Sequence, residues 1–349
     1  MKKIKVAING YGVIGKRLAD AISMQEDMEL SGISDIVSDW RIQVAASKGY
    51  KIYSADLNSL NEMKANGINV RSLLKDLIED SDIIIDCTPK KISVQNVPLY
   101  KKAGKKFIVQ GGEKHELTGH SFNAETNYTS AINIECTRVV SCNTTSILRV
   151  LGALKKGGIL LNARGTLLRR ATDPWESHIS GIMNTLVPEQ NIPSHQGPDA
   201  KSVDSDLDVI TAAVKVPETL SHLHYWVVKL NKTVSKEQVL EIMTNYSTRI
   251  ALMNYSDGLI ANNTIKEFLL DIGRARGDMY EVALWKDMLK VLNAELFFAY
   301  IVDNQAIVTP ENIDAIRSLC NIETDPVKSI TKTNKVLGVS KDIFNSLHK

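Results

Sequence analysis

The run from Ile4 to Ser23, IKVAINGYGVIGKRLADAIS, constrains the fold more than any other part of the chain. Ile4, Val6 and Ile8 form a short β-prone segment. Gly10-Tyr11-Gly12-Val13-Ile14-Gly15 then matches G-x-G-x-x-G, and Ile14, Leu18, Ala19 and Ile22 recur at helical spacing with Lys16, Arg17 and Asp20 outward. Strand, glycine turn and helix in immediate succession begin a dinucleotide-binding unit. The glycines permit a tight turn, close approach of a pyrophosphate to the backbone, and close packing of helix on strand. The helix N-terminus offers N–H groups and a positive partial charge to the phosphates. A second strand, Met28 to Ile33, follows, and Asp35 lies 20 residues past Gly15. A carboxylate there commonly bonds the adenine ribose hydroxyls and repels a 2′-phosphate, which favours NAD over NADP. The plainer alternative is a loop acid in SDIVSD, beside Ser38 and Asp39.

Two further runs, DIIIDCTP (82–89) and KKFIVQGGEK (105–114), read as parallel strands. They are apolar between charged flanks, as expected where helices cover both faces of a sheet. Their C-terminal ends fall where a doubly wound sheet binds its ligand. RVVS (138–141) is another such strand, which puts Cys142 at the same rim. Asn143, Thr144 and Thr145 then open a helix. A thiol at that junction lies near unpaired N–H groups and the positive end of a helix dipole, which favour a thiolate. The competing reading is a packed cysteine, since free cysteines are among the most buried residues.

A chain of 349 residues points to two domains. Its 42 basic and 40 acidic residues leave a formal charge of +2, with no global pull toward nucleic acid or a membrane. The apolar stretches Ile83–Ile85 and Leu296–Val302 are too short to span a bilayer. MKKIKVAING reads as a first strand rather than a signal peptide, so a cytoplasmic location with reduced thiols is expected. Cys87, Cys136, Cys142 and Cys320 form no C-x-x-C pair, and no metal site is expected.

The second half changes character. GGILLNARGTLLRRATD (157–173), DVITAAVKVP (208–217) and LSHLHYWVVKL (220–230) look like longer, antiparallel-type strands. His222 and His224 alternate across Leu223 and so project from one strand face. Either can serve Cys142 as a base. Arg169 and Arg170 close a strand, and one guanidinium is a candidate phosphate contact. The proline-punctuated loop Val187 to Asp199 carries Ser194, His195 and Gln196. Asn304 stands at a strand-to-helix passage before PENIDAIR (310–317).

The ordered set INGYGVIGKR, QGGEK, VVSCNTTS, RRATDP, IPSHQGPD and PENIDAIR resembles archaeal-type glyceraldehyde-3-phosphate dehydrogenase. The resemblance runs from Ile4 to about Leu337. It implies an α/β fold with a Rossmann-type doubly wound domain at 1–141. An α+β catalytic domain with a largely antiparallel sheet would follow at 142–304, and the helices of 305–349 would return to the first domain. By resemblance, Cys142 attacks the aldehyde, and His222 is the base that takes the proton and holds the thiolate as an ion pair. Hydride passes to the nicotinamide, and inorganic phosphate releases 1,3-bisphosphoglycerate from the thioester.

The resemblance also assigns Ser141, Asn143, His195, Gln196 and Arg169 to the substrate. It assigns Gly10, Gly12, Val13, Ile14, Gly15, Asp35, Gly111, Arg170 and Asn304 to NAD or NADP, with NAD favoured by Asp35. The family often has a second histidine where Gln196 stands and a glutamine where Asn304 stands. A homotetramer is implied, with small-molecule substrate and phosphate as partners. The alternatives are a related phosphate-coupled semialdehyde dehydrogenase or acyl-phosphate reductase, and a non-catalytic dinucleotide-binding protein. A sensor has no need of an acyl-transfer thiol, and a cysteine hydrolase leaves the glycine turn unexplained.

Overall fold

The computed structural model describes residues 3–174 and 184–348. The chain divides into two compact units, Met1–Ser141 with Thr309–Leu337, and Cys142–Val308 with Gly338–Lys349. Among the described residues no helix is long and apolar enough to cross a membrane.

The first unit is built on a parallel sheet of eight strands. They are β1 (Ile4–Asn9), β2 (Met28–Asp35), β3 (Ile52–Ser54), β4 (Val70–Leu73), β5 (Ile83–Asp86), β6 (Lys106–Gln110), β7 (Ser121–Phe122) and β8 (Cys136–Val139). Their order is β4-β3-β2-β1-β5-β6-β8-β7, and every pairing is parallel. The chain moves outward from β1 to β4 and then returns to β5 on the other side of β1. The strand order therefore reverses between β1 and β5, and at such a switch point the loops diverge and leave a crevice. Ile83, Ile84 and Ile85 are fully buried, consistent with helices on both faces.

A buried carboxylate ties this crevice together. Asp86 ends β5 and accepts from Tyr100 Oη (2.7 Å), Asn96 Nδ2 (3.0 Å), Ser93 Oγ (3.1 Å) and the Thr88 N–H (2.9 Å). Tyr100 in turn accepts from Asn9, the last residue of β1. The two strand ends that flank the switch point thus share one network.

The second unit contains β9 (Leu160–Arg170), β10 (Val187–Pro188), β11 (Val209–Val216), β12 (Ser221–Leu230), β13 (Ile250–Met253), β14 (Val282–Trp285), β15 (Lys290–Leu292) and β16 (Glu295–Asp303). The order is β10-β11-β9-β12-β16-β14-β13, with β15 on β16. Most pairings are antiparallel, but β11 runs parallel to β9 and β13 parallel to β14. β9 is antiparallel to β12 and β11 to β10, as expected of antiparallel-type strands, but β9 and β11 run parallel to each other. They are joined by a long excursion, which permits a crossover connection that a tight hairpin would forbid. Along β12, His224, Trp226 and Val228 are buried, while Tyr225 and Val227 are exposed. That is the period-two pattern of a half-buried strand.

The C-terminal path also departs from expectation. The helices Val308–Leu319 and Pro326–Leu337 fall largely within the first unit, but residues from Gly338 onward belong with the second. Ionic contacts pin the helices. Arg317, with no exposed surface, donates to Asp27 (2.9 Å), Gln25 (2.7 Å) and Thr333 (2.5 Å) and lies 3.8 Å from Asp314. Lys332 reaches Asp27 at 2.8 Å. Burial pushes the Asp27 carboxyl up, but hydrogen bonds and charge from Arg317 and Lys332 outweigh it, and the net shift is downward.

Arg317→Met is therefore expected to cost about 3–5 kcal/mol, read as a lower urea midpoint, because it strips the buried cation from the buried Asp314 and the half-buried Asp27. Asp27 has a depressed folded-state pKa, so its contribution is complete above its ordinary value of 3.8 and disappears as pH falls through the lowered one. Acid titration of Asp27→Asn beside the parent protein would expose that difference only in the acidic range.

Candidate active site

Cys142 is the first residue of the helix Cys142–Lys156, one position earlier than the sequence placed the helix start. His222 stands near the start of β12. The two meet with Sγ 3.3 Å from Nε2. On the other side of the ring, Nδ1 accepts the backbone N–H of Arg170 at 3.0 Å. Cys142 keeps part of its surface open, yet the packing around Sγ pushes its thiol up. Arg170, the Asn143 N–H and Arg169 pull it back, and Asp303 opposes them, leaving a net rise. Burial, seconded by His224, Arg170 and Arg169, holds the His222 ring well below the usual histidine range.

The structure separates the two histidines that alternation alone could not. His224 faces Asn143 rather than Cys142, with Nε2 2.8 Å from Asn143 Oδ1. Its Nδ1 lies 2.9 Å from Tyr300 Oη, supplied by β16 at the facing register position. Burial, with a smaller push from Arg169, lowers the His224 pKa to about 3, so the ring is neutral at physiological pH. A neutral ring has one donor and one acceptor. If Tyr300 donates to Nδ1, Nε2–H donates to Asn143 Oδ1, and the Asn143 amide nitrogen is left for another partner. Tyr300 is a site residue that sequence reasoning missed, because only the pairing of β12 with β16 brings it there.

Glu189 is a second omission. It accepts from Arg169 Nη1 (3.0 Å), from His195 Nδ1 (2.8 Å) and from the His195 N–H (2.9 Å). Burial pushes this carboxyl up, but the His195 bonds and charges and the charge of Arg169 outweigh it and hold it low. One acid thus ties together two candidate anion contacts that are far apart in sequence. Gln196 follows His195, and both heteroatoms of its buried amide lack a hydrogen-bond partner, as does Arg169 Nε. These are groups with unmet hydrogen-bonding capacity in the segment assigned to substrate phosphate.

Arg170 and Asn304 meet each other. With its amide nitrogen donating to Leu220 O at 2.8 Å, Asn304 accepts from Arg170 Nε through its oxygen. Arg170 also pairs with Asp173 at 3.2 Å, and Gln305 donates to that carboxylate at 3.1 Å. Both proposed cofactor contacts are therefore held by protein partners.

In the first unit, the glycine loop fits a pyrophosphate. A Cβ on Gly15 would stand 2.0 Å from Gly10 O, so only glycine lets the helix begin so close to β1. A Cβ on Gly12 would meet nothing within 4 Å, and no side chain caps the helix Val13–Ser23. The N–H groups of its first turn, Val13 and Ile14 among them, are thus the donors such an anion needs. Asp35 ends β2, but its carboxylate accepts the Tyr11 N–H at 2.6 Å and the Ile36 N–H at 2.7 Å. It braces the glycine loop. Gly111 follows β6, and a Cβ there would lie 2.2 Å from Ser141 N.

Two family models match the chain, Dihydrodipicolinate reductase, N-terminus, over residues 4–118, and Glyceraldehyde 3-phosphate dehydrogenase, C-terminal domain, over residues 141–288. A curated glyceraldehyde-3-phosphate dehydrogenase of Methanococcoides burtonii is 43% identical over 97% of this chain and 100% of its own length. That of Methanobrevibacter smithii is 41% identical over 96% and 99%. That of Methanothermus fervidus is 38% identical over 96% and 98%. The chain belongs to the glyceraldehyde-3-phosphate dehydrogenase family.

Glu189→Gln keeps the shape but removes the charge that aligns Arg169 and His195. It is expected to raise KM for a phosphorylated aldehyde about tenfold, equivalent to about 1.4 kcal/mol, while kcat changes little. Steady-state kinetics would show the reverse split if Glu189 acted at the reacting carbon.

Proposed function

We propose that this member of the family oxidises D-glyceraldehyde 3-phosphate to 1,3-bisphosphoglycerate, using NAD(P) and inorganic phosphate. The observation that carries the reading is the Cys142 thiol at a helix start with the His222 ring 3.3 Å from its sulfur. An aldehyde carbon cannot release hydride until it becomes tetrahedral with charge on oxygen. Attack by the Cys142 sulfur makes that hemithioacetal. Loss of hydride leaves a thioester, and a phosphate oxygen displaces the thiol to give the acyl phosphate. When bound, the nicotinamide supplies the hydride acceptor.

Each unit has its part in this reading. The first-turn N–H groups after Gly12 hold the pyrophosphate, with Gly111, Arg170 and Asn304 assigned to the rest of the dinucleotide. His195, Gln196 and Arg169 take the substrate phosphate, supported by the Glu189 bonds and the unpartnered Gln196 amide. Ser141 and Asn143 flank the sulfur and complete the substrate contacts. NAD is the preferred cofactor, because the Asp35 carboxylate at the end of β2 repels a 2′-phosphate. The reading includes a homotetramer in the cytoplasm. Exposed Leu161, Ile210, Tyr225 and Val227 on the second sheet supply apolar surface for such an assembly.

Reduction of NAD and of NADP would be followed by absorbance with glyceraldehyde 3-phosphate, with and without phosphate. Turnover is expected to need phosphate, to favour NAD and to vanish in Cys142→Ser. Phosphate-independent turnover would mean hydrolysis of the thioester, and turnover only with amino-acid semialdehydes would replace the substrate assignment. Asp35→Asn keeps an acceptor for the Tyr11 N–H but removes the charge. It should raise the NADP-to-NAD ratio of kcat/KM by about tenfold or more, a like-charge repulsion of about 1.4 kcal/mol. An unchanged ratio would clear Asp35 of that role.

A further inference from the structure

The segment after β2 gathers charged side chains of both signs, and one of its cations is already taken. Asp35 ends the strand, and Asp39 caps the helix Trp40–Ser47, its Oδ1 accepting the Arg41 N–H at 2.9 Å. The Arg41 guanidinium turns back onto the same carboxylate. Its Nη2 donates to Asp39 Oδ2 at 2.6 Å, and its Nε donates to Oδ2 at 2.9 Å and to Oδ1 at 3.0 Å. Lys16, from the helix Val13–Ser23, stands 4.3 Å from the centre of the exposed Trp40 ring.

These groups feel one another. The side-chain bonds from Arg41 outweigh burial and hold the Asp39 carboxyl below its usual range, helped by the Arg41 N–H and the charges of Arg41 and Lys16. The Asp39 bonds outweigh burial and hold Arg41 above its ordinary value, and the charges of Asp39 and Asp35 add to them. Lys16, Asp35, Asp39 and Arg41 thus form one cluster whose formal charges cancel.

Taking the adenosine ribose to bind at the end of β2, as proposed above, we infer that Asp39 governs cofactor choice by withholding the Arg41 guanidinium from a 2′-phosphate. A guanidinium fork suits two phosphate oxygens as well as it suits a carboxylate. Here the Nε–Nη2 edge of the fork is spent on Asp39. A 2′-phosphate gains it only by breaking a bidentate, charge-assisted pair and by leaving Asp39 uncompensated beside a second anion. NAD presents hydroxyls at that place and makes no such demand. Asp35 and Asp39 therefore act against NADP in different ways. Asp35 repels the phosphate directly, whereas Asp39 occupies the cation that would relieve the repulsion. Asp39 acts through Arg41 and is a positioning residue.

The Arg41 and Asp39 side chains keep 23% and 41% of their surface exposed, so their pairing adds little to the stability of the fold and can be removed without unfolding it. The test is titration calorimetry of NAD and of NADP with the full-length protein, in the absence of substrate. Asp39→Asn keeps a side-chain oxygen to cap the helix and removes the charge that clasps Arg41. It is expected to raise the ratio of NADP affinity to NAD affinity about tenfold or more, the worth of a hydrogen bond to a charged group. The same substitution made in Arg41→Gln protein should move the ratio less than about threefold, because no guanidinium is there to be released. Equal gains in the two backgrounds would overturn the inference, since net charge alone would then explain them. Equal changes in both affinities would also overturn it, because a helix cap with a merely structural role cannot tell the two dinucleotides apart.

Asp35→Asn, measured in the same way, separates this inference from the reading on which it rests. A ratio moved by Asp35→Asn but not by Asp39→Asn would overturn the role of Asp39 and leave the ribose where it was placed. A ratio moved by neither would overturn both. Turnover plays no part in the measurement, so failure of the dehydrogenase assay would count against the proposed activity alone.

Discussion

The site rests on a match between two chain periodicities. Neighbouring residues in a helix point about 100° apart, whereas alternate residues on a strand point the same way, roughly 6.6 Å apart. Cys142 and Asn143 are neighbours at a helix start, and His222 and His224 are alternates on β12. The helix start meets the strand so that each residue of the first pair contacts one of the second. A shift of β12 by one residue would turn both imidazoles to the opposite face. The register of β12 with β9 and β16 is therefore as much a part of the site as the sulfur itself.

Much of the fold was legible because its signals are local. The glycine turn sits between a strand pattern and a helix pattern, and both periods can be read within a few residues. The buried runs around Ile84 and Ile108 stand out by composition. The thiol at the end of RVVS and the two histidines astride Leu223 were visible for the same reason. The topology of the second sheet was less accessible. Parallel pairing of β9 with β11 depends on a long intervening path, and a strand pattern carries no sign of its neighbour's direction.

The omissions have one physical origin. Glu189 and Tyr300 act through partners distant in sequence or across strands. A lone Glu in VPEQN looks like any loop acid, and a Tyr in a buried strand looks like core. Their meaning comes from geometry: Glu189 joins the end of β9 to His195, and Tyr300 stands opposite His224. The helices Val308–Leu319 and Pro326–Leu337 lie far along the chain from the strands they pack with. The placement of the residues from Gly338 onward with the second unit was not legible in the sequence, because it rests on long-range contacts such as Ser340 N–H to Glu281.

Gly111 packs against the residue that precedes the thiol. The backbone of Ser141 passes so near this glycine that even a methyl group would have to displace it. Ser141 is bonded directly to Cys142, and any displacement is handed along the chain to the first turn of the helix. Inheritance would then register a change in the loop after β6 as a lesion of the thiol, although the cysteine codon and every partner of the sulfur had been copied faithfully.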